Sequence, residues 1–139
     1  MRFMIIVKSD PVSEQVVPTR EMFETMDKYN QSLSDAGILL AYDGLTSSKD
    51  GAKVTFQNGK TTVKDGPFTE AKELVAGFWI IQVRSKEDAV EWARRIPFTD
   101  GGGVEVRRLA EAADFAGIMS PEAIAAEEAM RATMPGQAK

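Results

Sequence analysis

Four short segments of the chain are rich in apolar and β-branched residues, and each is typical of a strand. The first covers residues 2–8 and ends before Asp10-Pro11, a dipeptide that favours a turn. The other three cover residues 38–42, 76–84 and 104–109. Because side chains alternate between the two sides of a strand, we expect one sheet with two chemically different faces.

Two segments between these strands carry apolar residues at helical spacing. After Thr19, spacings of four, three and four residues place one set on a single helical face: Met22, Met26, Tyr29 and Leu33. Gly37 ends this helix at a position where a left-handed residue is favoured. The second helix starts at the capping residue Ser85 and stops at Pro97. Its apolar stripe consists of Ala89, Trp92, Ala93 and Ile96.

A hairpin signal lies between the second and third strands. Asn58-Gly59 separates the β-prone residues 54–57 from residues 60–63, and residues 65–75 are predicted to form a turn and an irregular loop. The order is strand, helix, strand, hairpin, strand, helix, strand. It predicts an α+β fold, a ferredoxin-like split βαβ sheet with an inserted β-hairpin and both helices on one face.

The composition changes after residue 109, because ten of the last 30 residues are alanine. Ser120-Pro121 is a favourable start for a helix that runs to about residue 133. We therefore divide the chain into an α+β domain over residues 1–109 and an alanine-rich helical C-terminal arm over residues 110–139. We expect this arm to dock on its own domain or on a neighbouring molecule.

Three of the predicted strands have one apolar face and one mixed face. The apolar face, which we expect beneath the helices, carries Phe3, Ile5, Val7, Trp79, Ile81, Val83, Val104 and Val106. The mixed face combines apolar and polar side chains: Met4, Ile6, Phe78 and Ile80 beside Gln82, Arg84, Glu105 and Arg107. An apolar patch of this kind marks an interface or a ligand groove, and buried polar groups need partners. Either two copies dimerise through this face and enclose a partly polar cavity, or the C-terminal arm covers the face of a monomer.

The residue types that are missing exclude several kinds of chemistry. The chain has 139 residues, a formal net charge of −4, no cysteine and no histidine. Disulfides, thiolate nucleophiles, Ser-His-Asp catalysis and imidazole metal sites are therefore excluded, and we expect no metal and no cofactor. The acidic balance argues against nucleic-acid binding, which depends on neutralising phosphates. The first apolar stretch ends at Lys8, too early for a signal peptide or a membrane span, so we expect a cytoplasmic protein that does not engage a membrane.

Acid–base chemistry in this chain would depend on carboxylates and tyrosine. Asp65 opens the tetrapeptide Asp65-Gly66-Pro67-Phe68 and Glu70 follows it, so both are candidates for hydrogen bonding or proton transfer at a cavity rim, with Tyr42 as a further donor. Asp43 and Glu73 extend this set of carboxylates. The tetrapeptide also has a structural interpretation, since Asp, Gly and Pro favour turns and Phe68 can fill a core. Both interpretations remain open.

Polar side chains on the mixed face are further candidates for ligand contacts. Arg84 and Arg107 are suited to clamp a carboxylate or a phosphate, or else to pair with Glu105 or with an acid of a second copy. The complete set of candidate ligand-binding residues is Asp43, Asp65, Phe68, Glu70, Gln82, Arg84 and Arg107.

Five sequence blocks occur in an order that resembles the YCII-related proteins of the DGPF type. The blocks are Gly44-Leu45, Asp65-Gly66-Pro67-Phe68, Ala76-Gly77-Phe78-Trp79, Glu87-Asp88-Ala89-Val90-Glu91-Trp92-Ala93 and Val104-Glu105-Val106-Arg107. The resemblance covers about residues 1–109. It implies a ferredoxin-like subunit that dimerises into an α+β barrel, a mostly unassigned function, and genes that often neighbour those of alternative sigma factors.

Some YCII-like relatives are enzymes, and their proposed site pairs a histidine on the first helix with an aspartate directly before the proline that ends the second. The resemblance implies that these positions correspond here to Thr25 or Met26 and to Ile96, so both members of the pair are replaced. The favoured hypothesis is therefore a small-molecule-binding or accessory homodimer.

Two alternatives stay open. One is a cofactor-free enzyme that acts on a small aromatic or polyketide-like substrate through Asp65, Glu70 or Tyr42, with Arg107 orienting an anionic group. The other is a protein-interaction module associated with transcriptional regulation.

Overall fold

A computed structural model describes residues 1–135, which form six strands and three α-helices. The strands are β1 (Arg2–Ser9), β2 (Leu39–Gly44), β3 (Ala52–Gln57), β4 (Lys60–Asp65), β5 (Leu74–Gln82) and β6 (Gly103–Arg108). The helices are α1 (Arg20–Asp35), α2 (Lys86–Arg94) and α3 (Pro121–Ala132). Four strands form one antiparallel sheet in the order β2-β5-β1-β6, and β3 pairs only with β4 as a separate hairpin. The predicted split βαβ arrangement with an inserted hairpin is confirmed.

The bounds of β5 differ from the prediction at both ends. The strand begins at Leu74, inside the predicted loop, because a register shift after Val7 lets Lys8 and Ser9 continue to pair with it. It ends at Gln82, which pairs with Arg2, the first residue of β1. Past that point Val83 still exchanges two 3.0 Å hydrogen bonds with Met1, but Arg84 lies in a bend. The prediction that Arg84 belongs to the strand and its mixed face is therefore wrong.

The core lies between the apolar face of the sheet and helices α1 and α2, as predicted. Its buried members are Phe3, Ile5, Tyr29, Leu33, Trp79, Ile81, Ala89 and Ile96. The largest side chains among those with no solvent-exposed surface are Ile5, Leu33 and Ile81. Burying a side chain of this size stabilises the fold by about 1.5–3 kcal/mol, so these three positions anchor α1 to the two central strands.

Tyr29 joins α1 to both the sheet and α2. Its ring packs edge-to-face on Trp79 at 5.4 Å, and its hydroxyl donates a 2.8 Å hydrogen bond to the Trp92 carbonyl. Burial raises the pKa of this hydroxyl to about 12. The Trp79 indole in turn donates to the Asn30 side chain at 2.7 Å. These contacts hold the second half of α1 in a defined position above the sheet.

Replacing Tyr29 with phenylalanine is expected to lower the free energy of unfolding by about 1 kcal/mol, since the Trp92 carbonyl would keep the Arg95 amide as a donor but lose the Tyr29 hydroxyl, while ring packing is kept. Urea denaturation measures this change. The matched control is Tyr42→Phe, because Tyr42 is 49% exposed and the same loss of a hydroxyl there should have almost no effect. Equal effects of the two substitutions would contradict the assigned role of Tyr29.

The chain divides into two compact units, the first covering Met1–Arg108 and the second beginning at Leu109. The second unit contains a short 3₁₀ helix over Ala112–Phe115 and then α3, which Ser120 caps by accepting a hydrogen bond from the Ala123 amide. Residues 136–139, the end of the predicted arm, lie outside the described residues. Within residues 1–135, no helix has both the length and the apolar character that crossing a membrane requires.

Candidate functional site

An open cleft of about 1320 Å³ lies in the first unit, at one end of the four-stranded sheet. Four chain segments form it: the end of β1 with the turn that follows, the first half of α1, the start of β5 with the residues before it, and residues 97–105. We call this cavity the cleft. Concave sites of this kind, rather than flat surfaces, are where small ligands bind.

Apolar side chains form one part of the cleft lining. They are Val7, Val16, Met22, Met26, Ala76, Phe98 and Val104. Met22 is 53% exposed and Phe98 is 45% exposed, so a flexible thioether and an aromatic ring are both open to a ligand. This lining suits a ligand with an apolar body.

Charged side chains form the other part, and they are mostly acidic. Five carboxylates and two lysines line the cleft: Asp10, Glu21, Glu73, Asp100, Glu105, Lys8 and Lys72. Lys8 pairs with Glu73 at 3.4 Å. Hydrogen bonds from Ser13 and Val12 to Asp10 lower the pKa of that carboxyl, so it stays ionised. The cleft therefore carries a net negative charge.

None of the candidate ligand-binding residues lines the cleft, but positions that the resemblance implies do. Thr25, Met26 and Pro97 all line it. The resemblance implies that Thr25 or Met26 stands at the histidine position of the catalytic relatives, and Pro97 directly follows the aspartate position. Ile96 is buried in the core at 7% exposure and contributes no polar group. The positions that the resemblance implies on the first helix and before Pro97 were thus the sequence signal that could have located this cavity.

The tetrapeptide Asp65–Phe68, which we call the DGPF turn, lies at the base of the hairpin and packs on a different segment. A Cβ atom added to Gly66 would lie 1.7 Å from the Ser48 carbonyl oxygen, so a side chain cannot be accommodated there without movement. The Phe68 amide donates to the Ser48 hydroxyl at 3.1 Å, and Lys53 lies over the Phe68 ring at 4.4 Å. The Gly66–Pro67 peptide bond is cis. These contacts give the motif a structural role at this position.

Glu14 connects the same segment to the turn after β1. Its carboxylate accepts hydrogen bonds from the Ser48 hydroxyl at 2.5 Å and from the Ser48 amide at 3.0 Å, with a longer contact of 3.5 Å from the Ser47 hydroxyl. These donors, the Ser48 hydroxyl first, lower the pKa of Glu14 below its ordinary value of 4.5. The ionised carboxylate is therefore the form that the fold stabilises.

Acid is expected to weaken this contact. A group whose pKa is lowered by folding stabilises the native state above its ordinary pKa, and that stabilisation is lost as the pH falls through the lowered value. The Tm of the protein should therefore drop from about pH 4.5 downward, and it should drop less steeply in a Glu14→Gln variant. Thermal unfolding measured along a pH series tests this. Ser48→Ala, which removes the principal donor, should show the same reduced acid sensitivity, whereas unchanged pH profiles in both variants would contradict the contact.

Two predicted site residues near the DGPF turn lie outside the cleft. Asp65 ends β4, where it pairs with Ala52, and its side chain is exposed. Glu70 forms an ion pair with Lys64 at 2.5 Å, and this partner lowers the pKa of the Glu70 carboxyl. A carboxylate stabilised in this way is a weak base, because its proton affinity is reduced.

The other predicted residues are spread over the sheet and its edges. Asp43 pairs with Phe78 on the mixed face, whereas its neighbour Tyr42 pairs with Trp79 on the opposite face. Gln82 is exposed at the end of β5, and Phe68 lines a second cavity of about 310 Å³.

Each arginine of the predicted set pairs with an acid of the same chain. Arg107 lies 3.4 Å from Glu105, and Arg84 lies 3.8 Å from Asp88 at the start of α2. Glu105 lines the cleft, so Arg107 is connected to the cleft through this ion pair. The described residues contain no group of three or more acidic side chains placed to hold a metal ion.

Known proteins show similarity to parts of this chain. An uncharacterized protein of Rhizobium meliloti (strain 1021) is 38% identical over 80 residues, which are 55% of this chain and 63% of that protein. The matched segment therefore spans less than two thirds of the relative's length. A solved structure of 5-chloro-2-hydroxyhydroquinone dehydrochlorinase from Burkholderia phenoliruptrix AC1100, in complex with 2,5-dihydroxybenzoquinone, covers 80% of this chain and 95% of its own, with 19% identity and a TM-score of 0.47.

A family model settles the relationship that the five sequence blocks indicated. The model of the YCII-related domain matches residues 1–113, which include the whole four-stranded sheet, the inserted hairpin and every residue that lines the cleft. The chain belongs to the YCII-related domain family.

Proposed function

We propose that this chain binds a small molecule in the cleft and acts as a binding or accessory protein in the form of a homodimer. The observation that carries the proposal is the cleft itself, which combines a concave shape, an apolar wall and several charged groups in one place. Its volume of about 1320 Å³ exceeds the roughly 300–1,000 Å³ of most ligand sites, so it has room for a ligand and for an element that covers it.

A second copy of the chain is the covering element that we propose. Met4 and Ile6 of β1 pair with Ile80 and Phe78 of β5, and together they form the half-buried apolar part of the mixed face. Lys8 and Glu105 lie on this same face and also line the cleft. A copy packed on the mixed face would bury the apolar patch and close the adjacent side of the cleft.

Binding without turnover agrees best with the side chains present. The histidine and aspartate positions of the catalytic relatives are replaced, and Glu70 is held as an ionised carboxylate by Lys64. The net negative lining favours ligands that are cationic or neutral and disfavours anions, since like charges repel in a partly enclosed space. We therefore propose a ligand with an apolar body and a cationic or neutral polar group.

Isothermal titration calorimetry with three probes of similar shape tests this proposal: 2-phenylethylamine, 2-phenylethanol and 3-phenylpropionate. We expect the cation to bind most tightly and the anion most weakly. Glu21→Gln should weaken binding of the amine by about two- to fivefold, because one nearby negative charge is removed. Glu24→Gln is the matched control, since Glu24 lies on the same helix but does not line the cleft.

Three results would contradict parts of this account. Saturable binding that is strongest for the anion would overturn the charge preference. No saturable binding of any probe would overturn the binding function and would favour the protein-interaction alternative. A sedimentation mass near the 15.2 kDa of one chain would contradict the homodimer.

A further inference from the structure

We propose that the DGPF turn positions one wall of the cleft and that it acts through Ser48 and Glu14. The wall in question is the turn after β1, residues Asp10–Val16, which we call the wall segment. The part of the test that measures ligand binding rests on the proposed function. The contact between the DGPF turn and the wall segment can be measured without any ligand.

The first link joins the DGPF turn to Ser48. Gly66 packs against the Ser48 carbonyl so closely that an added Cβ would lie 1.7 Å from its oxygen. The Phe68 amide donates to the Ser48 hydroxyl at 3.1 Å, and the Gly66 amide donates to the Gly51 carbonyl at 2.9 Å. The turn therefore fixes the single-turn 3₁₀ helix Ser48–Asp50 through both packing and hydrogen bonds.

The second link joins Ser48 to Glu14. The Ser48 hydroxyl accepts from the Phe68 amide on one side and donates to the Glu14 carboxylate at 2.5 Å on the other. The Ser48 amide adds a second bond to the same carboxylate at 3.0 Å. Hydrogen bonds to a charged acceptor are stronger than neutral ones, so this link is a strong polar contact between the wall segment and a distant part of the chain.

The third link runs along the wall segment itself. Glu14 sits in the 3₁₀ helix Ser13–Gln15, while its neighbours Ser13 and Val16 line the cleft. Asp10 organises the segment internally by accepting from the Val12 and Ser13 amides. Val12 is 77% exposed, so apolar packing does little to hold the segment. Among the described residues, Glu14 provides the hydrogen bonds that tie this segment to a distant part of the chain.

The wall segment also separates two cavities. Its residues Asp10, Ser13 and Val16 line the cleft, whereas Glu14 and the Ser48 region line the second cavity of about 310 Å³ together with Phe68. A change at the DGPF turn should therefore reach the cleft through Glu14. This connection gives the motif a function in positioning that does not require Asp65 or Phe68 to touch a ligand.

Hydrogen–deuterium exchange on the full chain tests the connection directly. The amides of residues 13–16 are hydrogen-bonded within the wall segment, so their exchange reports its opening. We expect Ser48→Ala to accelerate their exchange by about fivefold or more, although these amides lie more than 30 residues away in sequence. Ser48→Thr, which keeps the hydroxyl, should restore the slow exchange. Ser32→Ala is the matched control, because it also removes a serine hydrogen bond, from its hydroxyl to the Tyr29 carbonyl, but leaves this connection intact.

The binding arm uses 2-phenylethylamine and calorimetry on the same variants. We expect Ser48→Ala to weaken binding of this probe and Ser48→Thr to preserve it. Unchanged exchange at residues 13–16 in Ser48→Ala, with faster exchange at residues 66–68, would show that the turn and the wall are independent and would overturn the proposal. Faster exchange at residues 13–16 in Ser48→Ala with unchanged affinity for 2-phenylethylamine would overturn the proposal that the wall segment positions the ligand. Absence of probe binding in the unmodified protein would contradict the proposed function alone. The exchange rates at residues 13–16 would still test whether the DGPF turn is connected to the wall segment.

Discussion

Replacing Gly66 with alanine is expected to reduce the free energy of unfolding by about 3 kcal/mol, at the upper end of the cost of overpacking. The added Cβ would lie 1.7 Å from the Ser48 carbonyl oxygen and 2.6 Å from its carbon. Both atoms belong to the backbone, so no side chain can rotate away to make room. The Gly66 amide also donates to the Gly51 carbonyl at 2.9 Å, and any shift that relieves the clash would strain this bond. Urea denaturation followed by circular dichroism measures the loss.

Gly44→Ala is the matched control for this substitution. Gly44 ends β2 with nothing within 4 Å of an added Cβ, and its φ is not in the left-handed region. We expect this variant to keep the stability of the unmodified protein within about 0.5 kcal/mol. If Gly66→Ala were equally well tolerated, the close packing of the DGPF turn on Ser48 would be refuted.

Replacing Leu33 with alanine is expected to reduce the free energy of unfolding by about 2–5 kcal/mol and to lower the Tm on the order of 10 °C or more. Leu33 is fully buried, and it belongs to the core cluster that also contains Ile5 and Ile81. Its truncation would leave a cavity beneath α1, and the rigid sheet cannot collapse to fill it. Differential scanning calorimetry measures the change in Tm.

Leu40→Ala makes the same chemical change at a site where the side chain is 48% exposed. We expect this control to cost less than about 1 kcal/mol, because little apolar surface returns to water. Similar losses from the two leucines would mean that α1 does not pack on the sheet as described.

Local sequence patterns predicted most of the helices, strands and turns. The spacing of Met22, Met26, Tyr29 and Leu33 predicted the face of α1 that contributes to the core, although Met22 is 53% exposed and lines the cleft instead. Asn58-Gly59 predicted the hairpin turn, where both residues have positive φ. Capping residues such as Ser85 marked helix starts within one residue. These signals are local because helix periodicity, caps and tight turns depend on residues near one another in sequence.

The errors in the fold came from pairing between distant segments. The shift of register after Val7 extends β5 to Leu74, and the start of β1 at Arg2 ends β5 at Gln82. Neither limit can be derived from the residues of β5 alone, because each is set by the strand that it pairs with. The strand prediction for Arg84 failed for this reason.

The site was harder to predict than the fold. The DGPF turn drew attention because its residue types are distinctive, and in the structure it packs on Ser48 at the hairpin base. The cleft is assembled from four segments that are far apart in sequence, and no single segment indicates it. Its shape depends on how α1 and the residues after Pro97 pack around the sheet, which only the tertiary structure provides.

The central claim is that the cleft is the ligand-binding site of this chain. Mapping amide chemical shifts by heteronuclear NMR during a titration with 2-phenylethylamine tests it most directly. We expect saturable shifts that cluster at residues 19–26 and 98–105, the two sides of the cleft. Shifts confined to residues 65–70, or the absence of saturable shifts on both sides of the cleft, would contradict it.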